Sequence, residues 1–296
     1  MHGEQRLLFG VSVVPAADAI AEMRAVALRA DALGLDLLGV QDHPYQRRFV
    51  ETWMLLADLA ARTRRIRLFP DVANLPLRLP ALLAKQAASL DILSGGRFEL
   101  GLGAGAFWDG IAAMGGPRRS PGEAVAALEE AIEIIRRAWG DEPAILVDGR
   151  HYRVAGLHPG PPPLHPIEIW VGAYRPRMLR LTGRLGDGWI PSSGYAPPDA
   201  IPPLQRLVDE GAAEAGRDPS TVRRIYNLMG SISRRRSREP LQGDVAQWVD
   251  ELTRYVLELG FDGFVFWPAE EPLAQVERFA TEVVPAVREA IRRERR

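Results

Sequence analysis

The chain alternates, from one end to the other, between short apolar runs typical of β-strands and longer patterns typical of amphipathic α-helices. Strands are predicted at 8–14, 37–41, 66–69, 98–103, 167–171, 188–191, within 222–232 and at 263–267. Helices are predicted between and after them at 18–34, 52–64, 80–94, 121–139, 177–183, 199–215, 243–259 and 272–288. Eight strand–helix units in series predict an α/β fold, a parallel (βα)8 or TIM barrel, and not an open doubly wound sheet.

Two stretches interrupt this repeat and are predicted as insertion loops, one after strand 4 at about 106–120 and one before strand 5 at about 141–166. The second contains HPGPPPLHP, and because proline has no backbone N–H this segment is neither a helix nor a central strand. Long loops in a compact barrel commonly act as lids or binding elements, and some serve packing or oligomerisation. Barrels reach this length, so the prediction is a single domain over 1–296.

The charge and the cysteine content of the chain limit the kinds of molecule that it is expected to bind. Lys and Arg number 37 and Asp and Glu number 38, a net charge of -1, which does not indicate a nucleic-acid or membrane binder and favours a small-molecule partner. The chain has no cysteine, so redox chemistry would require a bound cofactor. No apolar run is long enough to span a membrane, and the first residues lack a secretory pattern, which predicts a cytoplasmic protein.

The sequence lacks the residues that several kinds of catalytic centre require. None of the five histidines forms a pair with the helical i, i+4 spacing of a metal site, so no metal is predicted; they are His2, His43, His151, His158 and His165. There is no Gly-x-Ser-x-Gly elbow and no phosphate-binding loop with Gly-Lys-Ser/Thr. Serine hydrolysis and nucleotide hydrolysis are therefore not indicated.

The segment VQDHPYQ places an acid and a histidine directly after the second predicted strand. In a TIM barrel, residues beyond the carboxyl ends of the strands line the mouth of the active site. His43 titrates nearest neutrality and is the candidate acid, base or hydrogen-bond donor, with Asp42 fixing its tautomer or position. An aspartate that caps a turn and a histidine that fills space would give the same pattern, and position alone leaves both interpretations open.

Other strand ends supply weaker signals. The glycines of LSGGRFELGLGAG are spaced Gly-x-Gly-x-Gly and not as a dinucleotide fingerprint, although they would let a ring approach the backbone. Gly172 and Ala173 precede Arg175 and Arg177 at a helix start, which would suit a phosphate, but this segment alone favours solvated helix arginines. Tryptophans near strand ends are candidates for contact with a cofactor ring or for the core: Trp108, Trp189 and Trp267.

Three segments resemble the bacterial-luciferase-like flavin-dependent oxidoreductases. KQAASLDILSGGRFELGLGAG (85–105) resembles the helix-3 to strand-4 signature of the family, PIEIWVGAYRPRMLRLTGRLGDGWIPS (166–192) the second signature, and LGFDGFVFWP (259–268) the last strand. The resemblance extends from about residue 8 to residue 288. It implies a (βα)8 barrel with an insertion lid, a reduced flavin or deazaflavin across the carboxyl ends of the strands, and a homodimer packed through helices.

The resemblance also implies roles for single residues. An Asp-His pair after strand 2, here Asp42-His43, is similar to the branch of the family that uses the deazaflavin coenzyme F420, with the histidine beside the ring. In that branch a bulge after strand 3, often with a non-prolyl cis peptide, supports the ring from behind, and Asp71-Val72 is the matching place. The resemblance and the position at the mouth together give the expected cofactor-binding residues: Asp71, Val72, Asn74, Gly103, Asp109, Gly172, Ala173, Arg175 and Arg177.

One departure bears on the substrate. The sugar-phosphate dehydrogenases of this branch have an acidic glutamate just after the strand-4 glycines, where this chain has Ala106-Phe107-Trp108, and Asp109 stands where those enzymes have an asparagine. A less polar substrate is therefore expected, in contact with Phe107, Trp108 and Trp267.

The leading functional hypothesis is hydride transfer between F420 and a small organic substrate, with His43 and Asp42 handling the accompanying proton. Two alternatives stay open at this point. One is an FMN-dependent monooxygenase that uses reduced flavin and O2, and the other is a flavin- or deazaflavin-binding protein without catalysis.

Overall fold

The computed structural model describes residues 6–295, so His2 lies outside the described residues. Within this range the strands are β1 Leu8–Val13, β2 Leu37–Val40, β3 Arg67–Pro70, β4 Ala73–Asn74, β5 Leu100–Gly103, β6 Ile145–Asp148, β7 Arg153–Leu157, β8 Ile169–Gly172, β9 Gly188–Trp189, β10 Arg223–Gly230 and β11 Gly263–Pro268. The helices are α1 Ile20–Ala32, α2 Thr52–Arg62, α3 Pro80–Ser94, α4 Trp108–Ala113, α5 Pro121–Ala138, α6 Pro176–Leu185, α7 Ile201–Glu214, α8 Val245–Leu257, α9 Pro272–Arg278 and α10 Val284–Glu294.

The main sheet is a parallel barrel. Its strands follow the order β3-β2-β1-β11-β10-β9-β8-β5-β4, and all neighbouring strands in this order are parallel. The short β3 and β4 together occupy the third barrel position, and a parallel bridge between Leu68 and Phe98 joins β3 to the segment before β5. The predicted (βα)8 barrel is confirmed.

Alternate residues of the strands fill the interior of the barrel. This interior cluster is buried almost completely and consists of Leu8, Leu37, Phe69, Trp170, Ile190, Ile225 and Val265. The Phe69 and Trp170 rings meet edge to face with 5.1 Å between their centroids, and burial of each such side chain stabilises the fold by roughly 2–3 kcal/mol. Val72 and Trp267 pack on this cluster from the carboxyl side of the strands, so the filled interior ends beneath the mouth.

Both insertions contain regular structure that the prediction of loops did not include. The first carries α4, and the second carries the antiparallel pair β6–β7. The hairpin turn is held by Glu130 of α5, whose carboxylate accepts hydrogen bonds from the backbone N–H groups of Arg150, His151 and Tyr152. Only the proline-rich end of the second insertion is irregular, because its prolines cannot donate to a sheet. Across residues 6–295, no helix combines the length and apolar character that crossing a membrane requires.

Candidate active site

A cavity of about 360 Å³ opens at the carboxyl ends of the barrel strands. This is the position at which (βα)8 barrels carry their active sites, and the volume lies in the range of small-molecule pockets. The cavity is lined by Gln41, Asp42, His43, Asp71, Val72, Ala73, Asn74, Gly103, Ala104, Gly105, Ala106, Phe107, Gly172, Tyr174, Ile190, Ser192, Tyr195, Asn227, Met229 and Trp267.

The break between β3 and β4 forms part of the cavity floor. The Asp71–Val72 peptide bond is cis, as the resemblance predicted. Val72 packs between two strand-end glycines: a Cβ atom on Gly103 would lie 2.8 Å from Val72 Cγ2, and one on Gly172 would lie 3.3 Å from the same atom. Because these two positions carry no side chain, the Val72 isopropyl group has room between β5 and β8.

His43 lies in the wall of the cavity among aromatic rings. Its Nδ1 atom is 2.5 Å from the Tyr45 hydroxyl, and the Phe107 ring meets it edge to face at 5.5 Å between centroids. Among the described residues, Nε2 has no hydrogen-bond partner. Burial lowers the pKa of His43, and the nearby Asp42 carboxylate only partly opposes this. The neutral imidazole is therefore favoured near neutral pH.

Asp42 does not hydrogen-bond to His43. Its buried carboxylate accepts two hydrogen bonds from the Arg78 guanidinium, at 2.9 and 2.7 Å, and one from the backbone N–H of Asn74 at 2.8 Å. Arg78 also pairs with Glu51, the N-cap of α2. Asp42 thus ties the end of β2 to β4 and to α2, and its influence on His43 is through charge. Asp42 therefore does not fix the His43 tautomer by a direct hydrogen bond, and a positioning role is the part of the sequence prediction that this geometry leaves available.

A second carboxyl group, Asp71, is buried beneath the cavity. Its Oδ1 accepts a hydrogen bond from Asn227 Nδ2 at 3.1 Å, and Asn227 Oδ1 accepts one from the Trp267 indole at 2.9 Å. Within residues 6–295, Asp71 Oδ2 has no hydrogen-bond partner. Burial raises the pKa of Asp71 to about 7, against the lowering effect of donors on Asn227, Ser12 and Trp267.

Several predicted site residues lie outside the cavity. Trp189 is fully buried and donates to the Ala173 carbonyl, so both belong to the barrel wall. Trp108 packs against Gly105 and the core, because it begins α4 and turns away from the mouth. The charged candidates are also outside: Asp109 is exposed and pairs with Arg118, and Arg175 and Arg177 are exposed at the start of α6.

Other cavity residues were not singled out from the sequence. Tyr45 stands in the quoted segment VQDHPYQ, but nothing local shows that its hydroxyl reaches back to His43. Asn227 carried a usable signal, because it is a polar residue in the buried middle of β10. Tyr174, Tyr195 and Met229 complete the mouth. Among residues 6–295, no group of three or more His, Asp or Glu side chains is placed to hold a metal ion.

Comparison with known proteins decides the family. The family model described as luciferase-like monooxygenase matches residues 7–294. The chain belongs to this family. The membership predicted from the three sequence segments is therefore confirmed.

Curated relatives of this luciferase-like protein include reductases and dehydrogenases. The chain is 32% identical over 217 residues to an F420-dependent glucose-6-phosphate dehydrogenase of Intrasporangium calvum, a match that covers 70% of this chain and 64% of that protein. It is 33% identical over 217 residues to a phthiodiolone/phenolphthiodiolone dimycocerosates ketoreductase of Mycobacterium kansasii, covering 72% of this chain and 56% of that one. The matched region thus spans less than two thirds of the length of these relatives.

Solved structures share the fold over nearly the whole chain. An F420-dependent secondary alcohol dehydrogenase in complex with an F420-acetone adduct superposes with a TM-score of 0.85 at 18% identity, covering 95% of this chain and 99% of that one. A long-chain alkane monooxygenase superposes with a TM-score of 0.81 at 12% identity, covering 97% and 92%. At these identities the likeness shows a shared fold and nothing more. Both a dehydrogenase and a monooxygenase have this fold.

Proposed function

We propose that this luciferase-like protein is an F420-dependent oxidoreductase, which transfers a hydride between the deazaflavin and a neutral carbonyl compound or alcohol. The observation that carries the proposal is a cavity at the barrel mouth that combines His43 with the Val72 floor and contains no lysine or arginine among its described lining residues. The curated relatives named for F420 support the choice of cofactor.

The lining residues fit a flat, partly polar ring. Val72 between Gly103 and Gly172 gives an apolar surface against which a ring face can pack. The buried Asn74 Oδ1 has no partner within the described protein and would accept a hydrogen bond from a ring N–H. Arg175 and Arg177 are exposed a few residues beyond Gly172, where β8 ends. There they are candidates to bind the charged tail of the cofactor. Bound there, the cofactor would supply hydride chemistry that the side chains lack.

His43 would handle the proton. Its lowered pKa keeps the imidazole neutral, and a neutral imidazole donates through one nitrogen and accepts through the other. Nε2, which has no partner among the described residues, is the atom available to a substrate oxygen. Asp42 is proposed as a positioning residue, since it joins the chain just before His43 to Arg78 and Asn74.

The lining indicates the class of substrate. The outer wall presents Phe107, Tyr174, Tyr195 and Met229, with Trp267 at the floor. A phosphorylated sugar requires cationic or multiple hydrogen-bonding partners for its phosphate, and the cavity has no cation among its described lining residues. An apolar or aromatic ketone, or the corresponding secondary alcohol, fits this surface better.

An FMN-dependent monooxygenase is the competing function, and the family description favours it. Titration of the purified protein with F420 and with FMN, combined with oxygen-uptake measurements, separates the two. We expect tight binding of F420, reduction of a neutral ketone by reduced F420, and no oxygen uptake. Tight FMN binding with substrate-dependent oxygen consumption would overturn the proposal.

Substitution of His43 tests whether the site is catalytic. His43→Ala is expected to lower turnover by about 10²- to 10⁴-fold, because proton transfer by a positioned side chain contributes that much. Affinity for F420 should change far less. His158→Ala is the matched control, since His158 is exposed on the second insertion outside the cavity. Equal turnover in both variants would refute a catalytic role for His43, whereas F420 binding without turnover in the unmodified protein would support a cofactor-binding protein without catalysis.

We also propose that the protein forms a homodimer through its helices. Three large apolar side chains are more than half exposed near the starts of α2 and α3, namely Met54, Leu79 and Leu82. Adjacent exposed apolar side chains commonly mark protein interfaces. Light scattering after size exclusion should give twice the mass of 32.7 kDa, and a charged substitution at Leu79 should shift the protein to monomer.

A further inference from the structure

In the hydrogen bond between Tyr45 and His43, the chemistry of the two groups decides which one donates and which one accepts. The Tyr45 hydroxyl and His43 Nδ1 are 2.5 Å apart, within the range of a strong hydrogen bond. A phenol is a better donor than an imidazole N–H, and a bare imidazole nitrogen is a better acceptor than a phenol oxygen. In the neutral pair, the Tyr45 hydroxyl therefore donates and Nδ1 accepts.

We propose that Tyr45 is a positioning residue that holds neutral His43 in the Nε2–H tautomer and resupplies the proton that His43 donates. With Nδ1 occupied by the Tyr45 hydroxyl, the imidazole proton must be on Nε2, the nitrogen without a protein partner. His43 then presents a hydrogen-bond donor to the cavity and not a base. This inference rests on the proposed function.

The proton transfers balance. In ketone reduction, a bound reduced deazaflavin would supply the hydride to the carbonyl carbon and be oxidised, and the C=O π pair would move to oxygen. That oxygen takes the Nε2 proton of His43, while Nδ1 takes the hydroxyl proton of Tyr45. After the alcohol leaves, Nε2 takes a proton from water through the cavity and Nδ1 returns its proton to the Tyr45 phenolate, which restores the Nε2–H tautomer and the neutral hydroxyl. Because an alkoxide is a much stronger base than a phenolate, the overall transfer is downhill, and oxidation of an alcohol follows the reverse path.

The surroundings of Tyr45 keep its proton in place between turnovers. Burial raises the pKa of Tyr45 to about 12, and the charges of Asp42 and Tyr195 act in the same direction. Asp42 and Tyr195 are the ionisable neighbours that act on the pKa of Tyr45, and Asp42 also acts on the pKa of His43. The hydroxyl therefore remains a donor at neutral pH.

Gly110 of α4 holds the ring of Tyr45 in position. A Cβ atom on Gly110 would lie 2.8 Å from both Cγ and Cδ2 of the Tyr45 ring. Gly110 lies within a helix, where alanine is the more favourable residue, so Gly110→Ala should displace Tyr45 without weakening α4. The chain thus offers two different ways to break the same hydrogen bond, one by removing the hydroxyl and one by moving it.

The first test uses ¹⁵N NMR of histidine-labelled protein without cofactor, with His43→Ala to assign the signal. We expect a bare Nδ1 and a protonated Nε2 in the unmodified chain at pH 8. In Tyr45→Phe the pKa of His43 should rise, because a hydrogen bond to its neutral form has been lost. A protonated Nδ1 in the unmodified chain would overturn the proposal even if the enzyme turned over F420.

The second test is kinetic. Tyr45→Phe should lower kcat for ketone reduction by roughly 10- to 100-fold, with KM changed less than about threefold and the pH profile displaced. Gly110→Ala should act in the same direction with a smaller loss. Tyr255→Phe, the same chemical change in the core outside the cavity, is the control and should leave both unchanged. An unaltered kcat and pH profile in Tyr45→Phe would overturn the role of Tyr45, whereas absence of F420 turnover in the unmodified protein would overturn only the proposed function.

Discussion

Asp31 and Asp71 are both buried aspartates, yet they behave in opposite ways at the two ends of the barrel. At the amino end, Asp31 accepts hydrogen bonds from the backbone N–H groups of Arg64, Arg65 and Ile66. Burial by itself would raise its pKa, but these three bonds outweigh burial and lower it. At the carboxyl end, Asn227 is the donor within hydrogen-bond distance of Asp71 among the described residues, and burial outweighs it together with the weaker effects of Ser12 and Trp267, which raises the pKa to about 7.

The difference shows that a buried carboxyl group stays charged where fixed donors outweigh desolvation, and resists ionisation where desolvation outweighs its donors. Asp31 holds the backbone just before β3 in place, so its negative charge stabilises the fold. Asp71 keeps one oxygen without a partner directly below the cavity, where a titratable group can respond to a bound cofactor.

The strongest test removes the charge of Asp71. Its pKa is raised in the folded protein, so the stability it contributes is present below the ordinary pKa of 3.8 and is lost as the pH rises to about 7. Asp71→Asn should therefore match the unmodified protein at pH 4 and exceed it at pH 8, by on the order of 4 kcal/mol in the free energy of unfolding. Urea unfolding across this pH range measures the difference, and a constant gap would contradict the assignment.

Asp31→Ala should produce the reverse effect. It leaves three backbone N–H groups without their acceptor, of which the Ile66 N–H is buried, and we expect a loss of about 2–3 kcal/mol in the free energy of unfolding at pH 7. Since the pKa of Asp31 is lowered, the loss should be full above its ordinary pKa of 3.8 and shrink at lower pH. F420 affinity should not change. A pH-independent loss would show that packing, and not the charge, is responsible.

His165 extends the comparison to the proline-rich insertion. Its ring contacts two buried carboxylates at the amino end of the barrel, Glu99 and Asp91, and the hydrogen bond to Glu99 is the main cause of its raised pKa. The stabilisation is complete below the ordinary pKa of 6.5 and is lost as the pH rises through the folded value. His165→Gln should cost about 1–2 kcal/mol at pH 6 and little at pH 9. His158→Gln is the control, and equal losses at both pH values would rule out titration of His165.

The smallest effect is expected at Asp109, which is close to the mouth but outside the cavity. Its side chain is 96% exposed and its partner is Arg118, also at the surface. Exposed ion pairs contribute little, so Asp109→Asn should change the free energy of unfolding by less than about 0.5 kcal/mol and F420 affinity by less than about twofold. A larger loss of affinity would restore Asp109 to the cofactor site predicted from the sequence.

The sequence predicted the barrel well because strand and helix patterns depend on neighbouring residues. The α3 bounds, Pro80–Ser94, agree with the prediction because Pro80 suits a first helical turn and Gly95 adopts the left-handed conformation that ends a helix. The hairpin β6–β7 was missed because its two short strands are mostly exposed or half-buried and therefore lack the buried apolar pattern that predicts a strand.

The site was predicted in part. His43 and the cis bond at Asp71–Val72 were located through position after a strand and through family resemblance. The hydrogen-bond partners of these residues were not predicted. Asp42 bonds to Arg78, 36 positions away, and Asp71 bonds to Asn227, 156 positions away. No local pattern predicts contacts at such separations.

By itself, the sequence determined the order of strand–helix units, the position of His43 at the barrel mouth and the absence of cysteine chemistry. Only the tertiary structure decided which hydrogen bonds each polar group makes. It gave His43 the Tyr45 hydroxyl in place of the Asp42 carboxylate, and it made Asp31 an anion and Asp71 an acid with a pKa near 7. The physical reason is that the charge state of a buried group depends on the donors and the solvent around it, and these are assembled from distant parts of the chain.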